Sequence, residues 1–115
     1  MPTVTTTRQN KVARLLQKEL GELLQRRGRD FLGKKLATVT TVRISPDLSV
    51  AKIYLSVFPV SKDEDPLEQI NNNLGTIRHD IGNKLRNQLR IIPELVFYID
   101  DSLDYIENID NLLND

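Results

Sequence analysis

Cysteine is absent from this chain of 115 residues, and histidine occurs once, at position 79. The first absence removes disulfides, thiolate nucleophiles and cysteine-based zinc or iron–sulfur sites together. The second leaves a zinc or di-iron centre to be built almost wholly from carboxylates, an unusual donor set for those metals. Neither a metal nor an organic cofactor is expected. No apolar run approaches the roughly 20 residues that cross a bilayer. The stretch Met1-Pro2-Thr3-Val4-Thr5-Thr6-Thr7 lacks the basic region followed by an apolar segment that a secretory signal requires. The expected location is the cytoplasm, with no membrane partner. Aromatic residues are only 5% of the chain, and Tyr54, Tyr98 and Tyr105 fall on separate predicted elements. No stacking platform of the kind that single-strand binders use is expected.

What is present describes a folded protein. Hydrophobic residues make up 39% and charged residues 28%, without an excess of Pro or Gly, enough for one modest core. A single domain over 1–115 is expected, monomeric, with residues 1–6 as a flexible start. The net charge of zero conceals segregation. Through Arg43 there are ten basic residues against three acidic, a balance of +7, whereas from Glu94 onward there are seven acidic residues and no base, −7. One end suits a polyanion.

From about Thr7 to Arg27, Val12, Leu15, Leu16, Leu20, Leu23 and Leu24 recur at the spacing of one helical face, and Gly28 reads as the stop. Arg29 to Lys35 reads as a loop. Leu36–Ser45 and Ser49–Phe58 read as strands, and Pro46-Asp47-Leu48 as the turn of an antiparallel hairpin. A second helical region carries one stripe, Leu67, Ile70, Leu74, Ile77, Ile81, Leu85 and Leu89, with a break expected at Gly75 after Asn71, Asn72 and Asn73. Leu95–Ile99 reads as a third strand, returned parallel to the second by the helical crossover. A last helix over about Ser102–Leu113 has Leu103, Ile106, Ile109 and Leu113 on one side and acids on the other.

Enzyme readings find little support. Gly28 to Lys35 nearly spells GxxxxGK[ST], but Lys35 stands where the magnesium-binding hydroxyl belongs, and the flanking helix and strand come in the reverse order. Asp100 and Asp101 are adjacent, so on a strand they point to opposite faces and do not form an acid/base pair. No catalytic residue is expected.

The element order, helix-strand-strand-helix-kink-helix-strand with a short C-terminal helix, is that of an α+β fold: a type II KH-like domain with a three-stranded sheet packed by helices. The usual GxxG of KH domains is replaced by Asn73-Leu74-Gly75 between the two middle helices. In this the chain resembles the ribosome-binding factor A family, which carries Ala-x-Gly at an interhelical kink. Other stretches are similar to that family at corresponding places: Arg8 with Lys11-Val12, Val42 to Ser49, Ala51 to Val57, Leu74 to Arg78, Leu89 to Phe97 with Asp100, and Ile109 with Leu112-Leu113. Two departures are Asn73 for the family's Ala and Asp30-Phe31-Leu32 where the family often has Asp-Pro-Arg.

The resemblance implies a non-enzymatic factor that binds the free 30S subunit, contacts 16S rRNA, assists late maturation including 5′-end processing, and leaves. The alternatives are a KH-type RNA-binding protein with no tie to the ribosome, or a protein-interaction domain. Since RNA affinity comes mainly from neutralised phosphates, the candidate RNA-binding residues are Arg8, Lys11, Arg14 and Lys18 on the first helix, Asn73, Gly75 and Arg78 at the break, and Lys84, Arg86 and Arg90 beyond it. Arg78 lies one turn after Gly75, near a helix N-terminus that itself attracts phosphate. His79 reads as a helix-surface residue. The acidic segment 101–115 cannot favour RNA; it reads as a screen against non-specific binding, as a surface for a basic ribosomal protein, or as an ordinary solvated helix. Recognition is expected to rest on shape and backbone.

Overall fold

The computed structural model of the chain describes residues 6–58 and 65–100. The elements are α1 (Thr7–Leu32), β1 (Leu36–Ile44), β2 (Val50–Phe58), α2 (Pro66–Asn72), α3 (Leu74–Leu85) and β3 (Glu94–Ile99). The expected C-terminal helix lies outside the described residues.

Helix α1 starts at a reciprocal cap. The Thr6 hydroxyl accepts from the Gln9 N–H at 3.1 Å, and Gln9 Oε1 accepts from the Thr6 N–H at 2.8 Å, so Thr6 belongs to the helix start rather than to the flexible segment expected over 1–6. The helix does not stop at Gly28. It runs a further turn to Leu32, because Phe31 and Leu32 continue the buried stripe of Leu16, Leu20, Leu23 and Leu24. A mid-helix Gly costs about 1 kcal/mol relative to Ala. Burying a Leu or Phe side chain returns about 1.5–3 kcal/mol, so two of them outweigh the glycine. Gly33 ends the helix at φ 65° and ψ −122°, its N–H donating to the Arg29 carbonyl at 3.0 Å.

The sheet order is β1-β2-β3, with β1 and β2 antiparallel and β2 and β3 parallel, as the crossover predicted. All three helices lie on one face, α1 chiefly against β1. Ala51, Ile53, Leu55 and Val57 of β2, with Leu95 and Phe97 of β3, point into that core. On β1 the alternation slips at Thr40, an extra residue between the pairs Val39–Leu55 and Thr41–Tyr54. This bulge lets Val39 and Ile44 both face inward although they are five positions apart, an odd offset. The Thr40 hydroxyl lies 2.7 Å from Asp100 Oδ2 and 3.2 Å from the Tyr54 carbonyl oxygen, tying the bulge across the central strand to the end of β3.

Asp65 caps α2, accepting from the Leu67 N–H at 3.0 Å, and Pro66 takes the first helical position. The break between α2 and α3 falls at Asn73, two residues before Gly75: Asn73 has φ −108° and ψ 12°, and its side-chain amide donates to the Gln69 carbonyl at 2.8 Å. Ile70, Ile77, Ile81 and Leu85 hold both helices on the core. The stripe reaches Leu89, but α3 ends at Leu85; a turn carries the chain on, and half-buried Leu89 packs on the core from the connection to β3.

Candidate nucleic-acid interface

The candidate cations separate into three places. Arg8 and Lys11, one turn apart at the start of α1, meet Arg90 of the α3–β3 connection around a cavity of about 420 Å³. Arg14 and Lys18 are exposed on the outer side of α1. Gly75 and Arg78 are exposed on the first turns of α3, Asn73 is half-buried at the break, and Lys84 and Arg86 are exposed at the far end. At 1.5 Å per residue, Gly75 and Lys84 stand about 14 Å apart along the helix, so they are not one cluster.

At the break, Asn73 makes no side-chain cap for α3. Gly75 is exposed, is not among the positive-φ residues, and has no atom within 4 Å of the place a Cβ would occupy. The described fold therefore does not itself require a glycine there. What the missing side chain leaves is open backbone at a helix N-terminus, where N–H groups and dipole favour an anion. Arg78 follows one turn later, and His79 is exposed beside it, 3.2 Å from the Asn83 side-chain amide.

Around the cavity, the wall opposite α1 is the β1–β2 turn. Asp47 Oδ1 accepts from the Ser45 and Ser49 hydroxyls, each at 2.7 Å, and from the Ser49 N–H at 3.1 Å. These bonds, the Ser49 hydroxyl foremost, pull the Asp47 carboxyl from the ordinary 3.8 down to about 2. Leu48 sits at φ 64°, a left-handed position that the stapled turn holds. Buried Gln9 joins α1 to this end of the sheet through its amide, which donates to the Ile44 carbonyl at 2.9 Å.

Other residues have structural tasks. Arg27 donates to Asp80 on α3 at 2.7 Å and to Asp30 at 3.2 Å, and its guanidinium lies 5.3 Å from the Phe31 ring centroid, which locks α1 to α3. Lys35 is buried, its Nζ donating to Gln69 Oε1 at 3.0 Å, while Gly28 lies inside α1, so the phosphate-loop lookalike forms no loop. Tyr54 and Tyr98, on separate elements as expected, nevertheless stack with centroids 5.2 Å apart because the parallel register pairs them. They stand on the sheet face away from the helices, and their nearness required knowledge of that register.

The ribosome-binding factor A family model matches residues 8–113, which is nearly the whole chain. The chain belongs to the ribosome-binding factor A family. It is 47% identical to ribosome-binding factor A of Flavobacterium johnsoniae over 109 residues, which cover 94% of this chain and 84% of that one. A crystal structure of the Thermus thermophilus ribosome-binding factor A shares the fold at a TM-score of 0.64 and 23% identity, covering 79% of this chain and 94% of that one. A homology model of the Thermus thermophilus factor, fitted into a cryo-EM map of a 30S–RbfA complex, is similar at a TM-score of 0.62 and 25% identity, covering 77% of this chain and 91% of that one. The KH-like α+β fold expected from the element order is thus the fold of this family's structures.

Proposed function

We propose that this chain is a non-enzymatic assembly factor that binds the free 30S subunit in the cytoplasm, contacts 16S rRNA, and assists late maturation including processing at the rRNA 5′ end. Family membership and the Thermus thermophilus factor's complex with the 30S subunit support the ribosomal partner. The observation that carries RNA contact is Gly75: an exposed glycine with no conformational or packing reason of its own, at an uncapped helix start, one turn before an exposed arginine. A phosphate–ribose backbone fits against such a bare turn, and Arg78 neutralises it. The factor works by differential affinity, stabilising one rRNA conformation over another without making or breaking bonds. It acts as a monomer, and the acidic segment 101–115 faces a basic ribosomal protein.

Co-sedimentation of the purified protein with isolated small subunits, mature 70S particles and free RNA tests this, beside Arg78→Glu. Selective association with the free small subunit, weakened by the variant, is expected. Equal binding to every RNA would leave a generic KH-type RNA-binding protein, and no binding to subunit or RNA at low salt would leave a protein-interaction domain. Depletion in cells should accumulate 16S rRNA with an unprocessed 5′ end.

A further inference from the structure

We infer that the cavity enclosed by the start of α1, the β1–β2 turn and the α3–β3 connection is a subsite for one unstacked nucleotide of single-stranded RNA, its phosphate at the cationic rim and its base against the apolar floor. The inference rests on the RNA-binding reading above and adds a second contact to it. The cavity follows the end of α3, whereas the bare turn at Gly75 opens the same helix. Twelve residues at 1.5 Å separate the two by about 18 Å.

The cavity, about 420 Å³, falls within the roughly 300–1,000 Å³ of ordinary small-ligand sites and suits a nucleotide rather than a duplex. Its rim carries exposed Arg8, Lys11 and Arg90, brought together from chain segments some eighty residues apart. Its floor is Val12, Leu48, Leu89 and buried Pro93. Ile91 stands at the mouth with 75% of its surface exposed, an apolar side chain that adds little to the core. The walls are preformed. Gln9 fixes α1 to Ile44, the Asp47 bonds staple the turn, and the Glu94 N–H donates to the Ser49 carbonyl at 2.8 Å, tying turn to connection. Little ordering is left to oppose binding.

The chemistry of the walls selects the ligand. Cations beside an apolar floor call for a group that is anionic at one end and flat and apolar at the other, which a nucleotide is. An acidic peptide would satisfy the cations too. Asp47 lies in the same wall, however, and its carboxylate accepts a hydrogen bond from a base amino group or a ribose 2′-hydroxyl, a donor that an acidic side chain does not offer. Gln88, also in the lining, offers both a donor and an acceptor to a base edge.

The test is an amide NMR titration of the full chain with a single-stranded pentaribonucleotide, with an abasic ribose-phosphate pentamer and with a Glu- and Leu-containing peptide, for the parent protein, Ile91→Ser, Arg90→Gln and Arg78→Glu. The ribonucleotide should shift the Leu48, Ser49, Gln88 and Ile91 amides more strongly than the abasic pentamer. Ile91→Ser should bind about fivefold more weakly, the loss from one partly covered aliphatic side chain, with an unchanged salt slope. Arg90→Gln should instead lower the slope by about one. Equal binding of the abasic pentamer, an unaltered Ile91→Ser, or shifts of these amides by the peptide but not by RNA would each overturn the subsite. If Ile91→Ser is unaltered while Arg78→Glu loses the small subunit, the subsite fails and the assembly-factor reading stands. If the parent protein binds neither RNA nor subunit, both fail.

Discussion

Two glycines five residues apart should respond to alanine with opposite signs, because α1 passes through one and ends on the other. Gly28 lies within the helix, and no atom comes within 4 Å of the position its Cβ would take. Gly28→Ala therefore meets no steric opposition and recovers the helix-interior penalty of glycine, about 1 kcal/mol of added stability. In a domain of this size that raises the midpoint by about 4 °C. Gly33 has equally open space, but its φ of 65° and ψ of −122° are the first-position values of a type II′ turn, which an L side chain adopts only under strain. Gly33→Ala should cost about 2 kcal/mol with no clash at all, purely from the backbone. Urea unfolding of the parent and both variants, fitted with a common m-value, measures the difference of about 3 kcal/mol implied by these two penalties. If Gly28→Ala is neutral or destabilising and Gly33→Ala is mild, the helix ends at Gly28 and the argument from the burial of Phe31 and Leu32 is wrong.

Gly75→Ala, also unobstructed and also in a helical turn, should raise the unfolding midpoint in a thermal melt while reducing association with the small subunit in a sedimentation assay; a variant that is stabilised and binds normally would remove the case for RNA at the break. Gln9→Ala removes the bond from the Thr6 N–H to the Gln9 side chain, keeps the backbone half of the cap, and leaves the buried Ile44 carbonyl without its donor, so a loss of about 2 kcal/mol is expected in urea unfolding; a loss below about 0.5 kcal/mol would mean that water replaces the amide at no cost. Asp47 has a folded-state value of about 2 against an ordinary 3.8, so its ionised form stabilises the turn above about pH 4 and that contribution is lost as the pH falls towards 2. Asp47→Asn should accordingly be less stable than the parent at pH 6, with the gap narrowing on acidification over that window in unfolding curves taken at stepped pH.

Much of the fold was legible because its signals are local. The stripes of α1 and α3 and the alternation of β2 are each written within one segment, and the parallel return of β3 follows from the helical crossover between consecutive strands. The failures have a common cause in tertiary burial. Gly28 is a sound local stop, yet Phe31, seven residues after Leu24, extends the same stripe, and only the sheet beneath it makes that extension favourable. The bulge at Thr40 left a trace in the odd spacing of Val39 and Ile44, but an interrupted alternation also fits an irregular edge. Of the candidate site, the cations at Arg8, Lys11 and Arg90 could be named individually. Their meeting around one cavity, like the Tyr54–Tyr98 stack, depends on register and on how α1 lies across the hairpin end.

The charge segregation gains meaning once the described body is separated from the rest. The described residues hold fifteen basic and nine acidic side chains, a surplus of +6, and the zero total is restored chiefly by the five acids of 101–115. The described residues by themselves therefore carry a cationic surplus. Of the described acids, Asp80 is held by Arg27, Asp100 accepts from Thr40, and Asp47 and Asp65 accept from their own turns or helix starts. Arg8, Lys11, Arg78 and Arg90 are absent from the described ion pairs and hydrogen bonds and are exposed. Structural pairing thus consumes carboxylates more than it consumes cations, and among the cations left exposed are those at the two ends of α3, where the backbone or an apolar floor is open. Exposed cations alone would attract any RNA with an affinity that salt abolishes; on the proposed reading, cations beside a bare helical turn at one end and a cavity at the other would favour an RNA whose backbone and unstacked nucleotide match both positions at once.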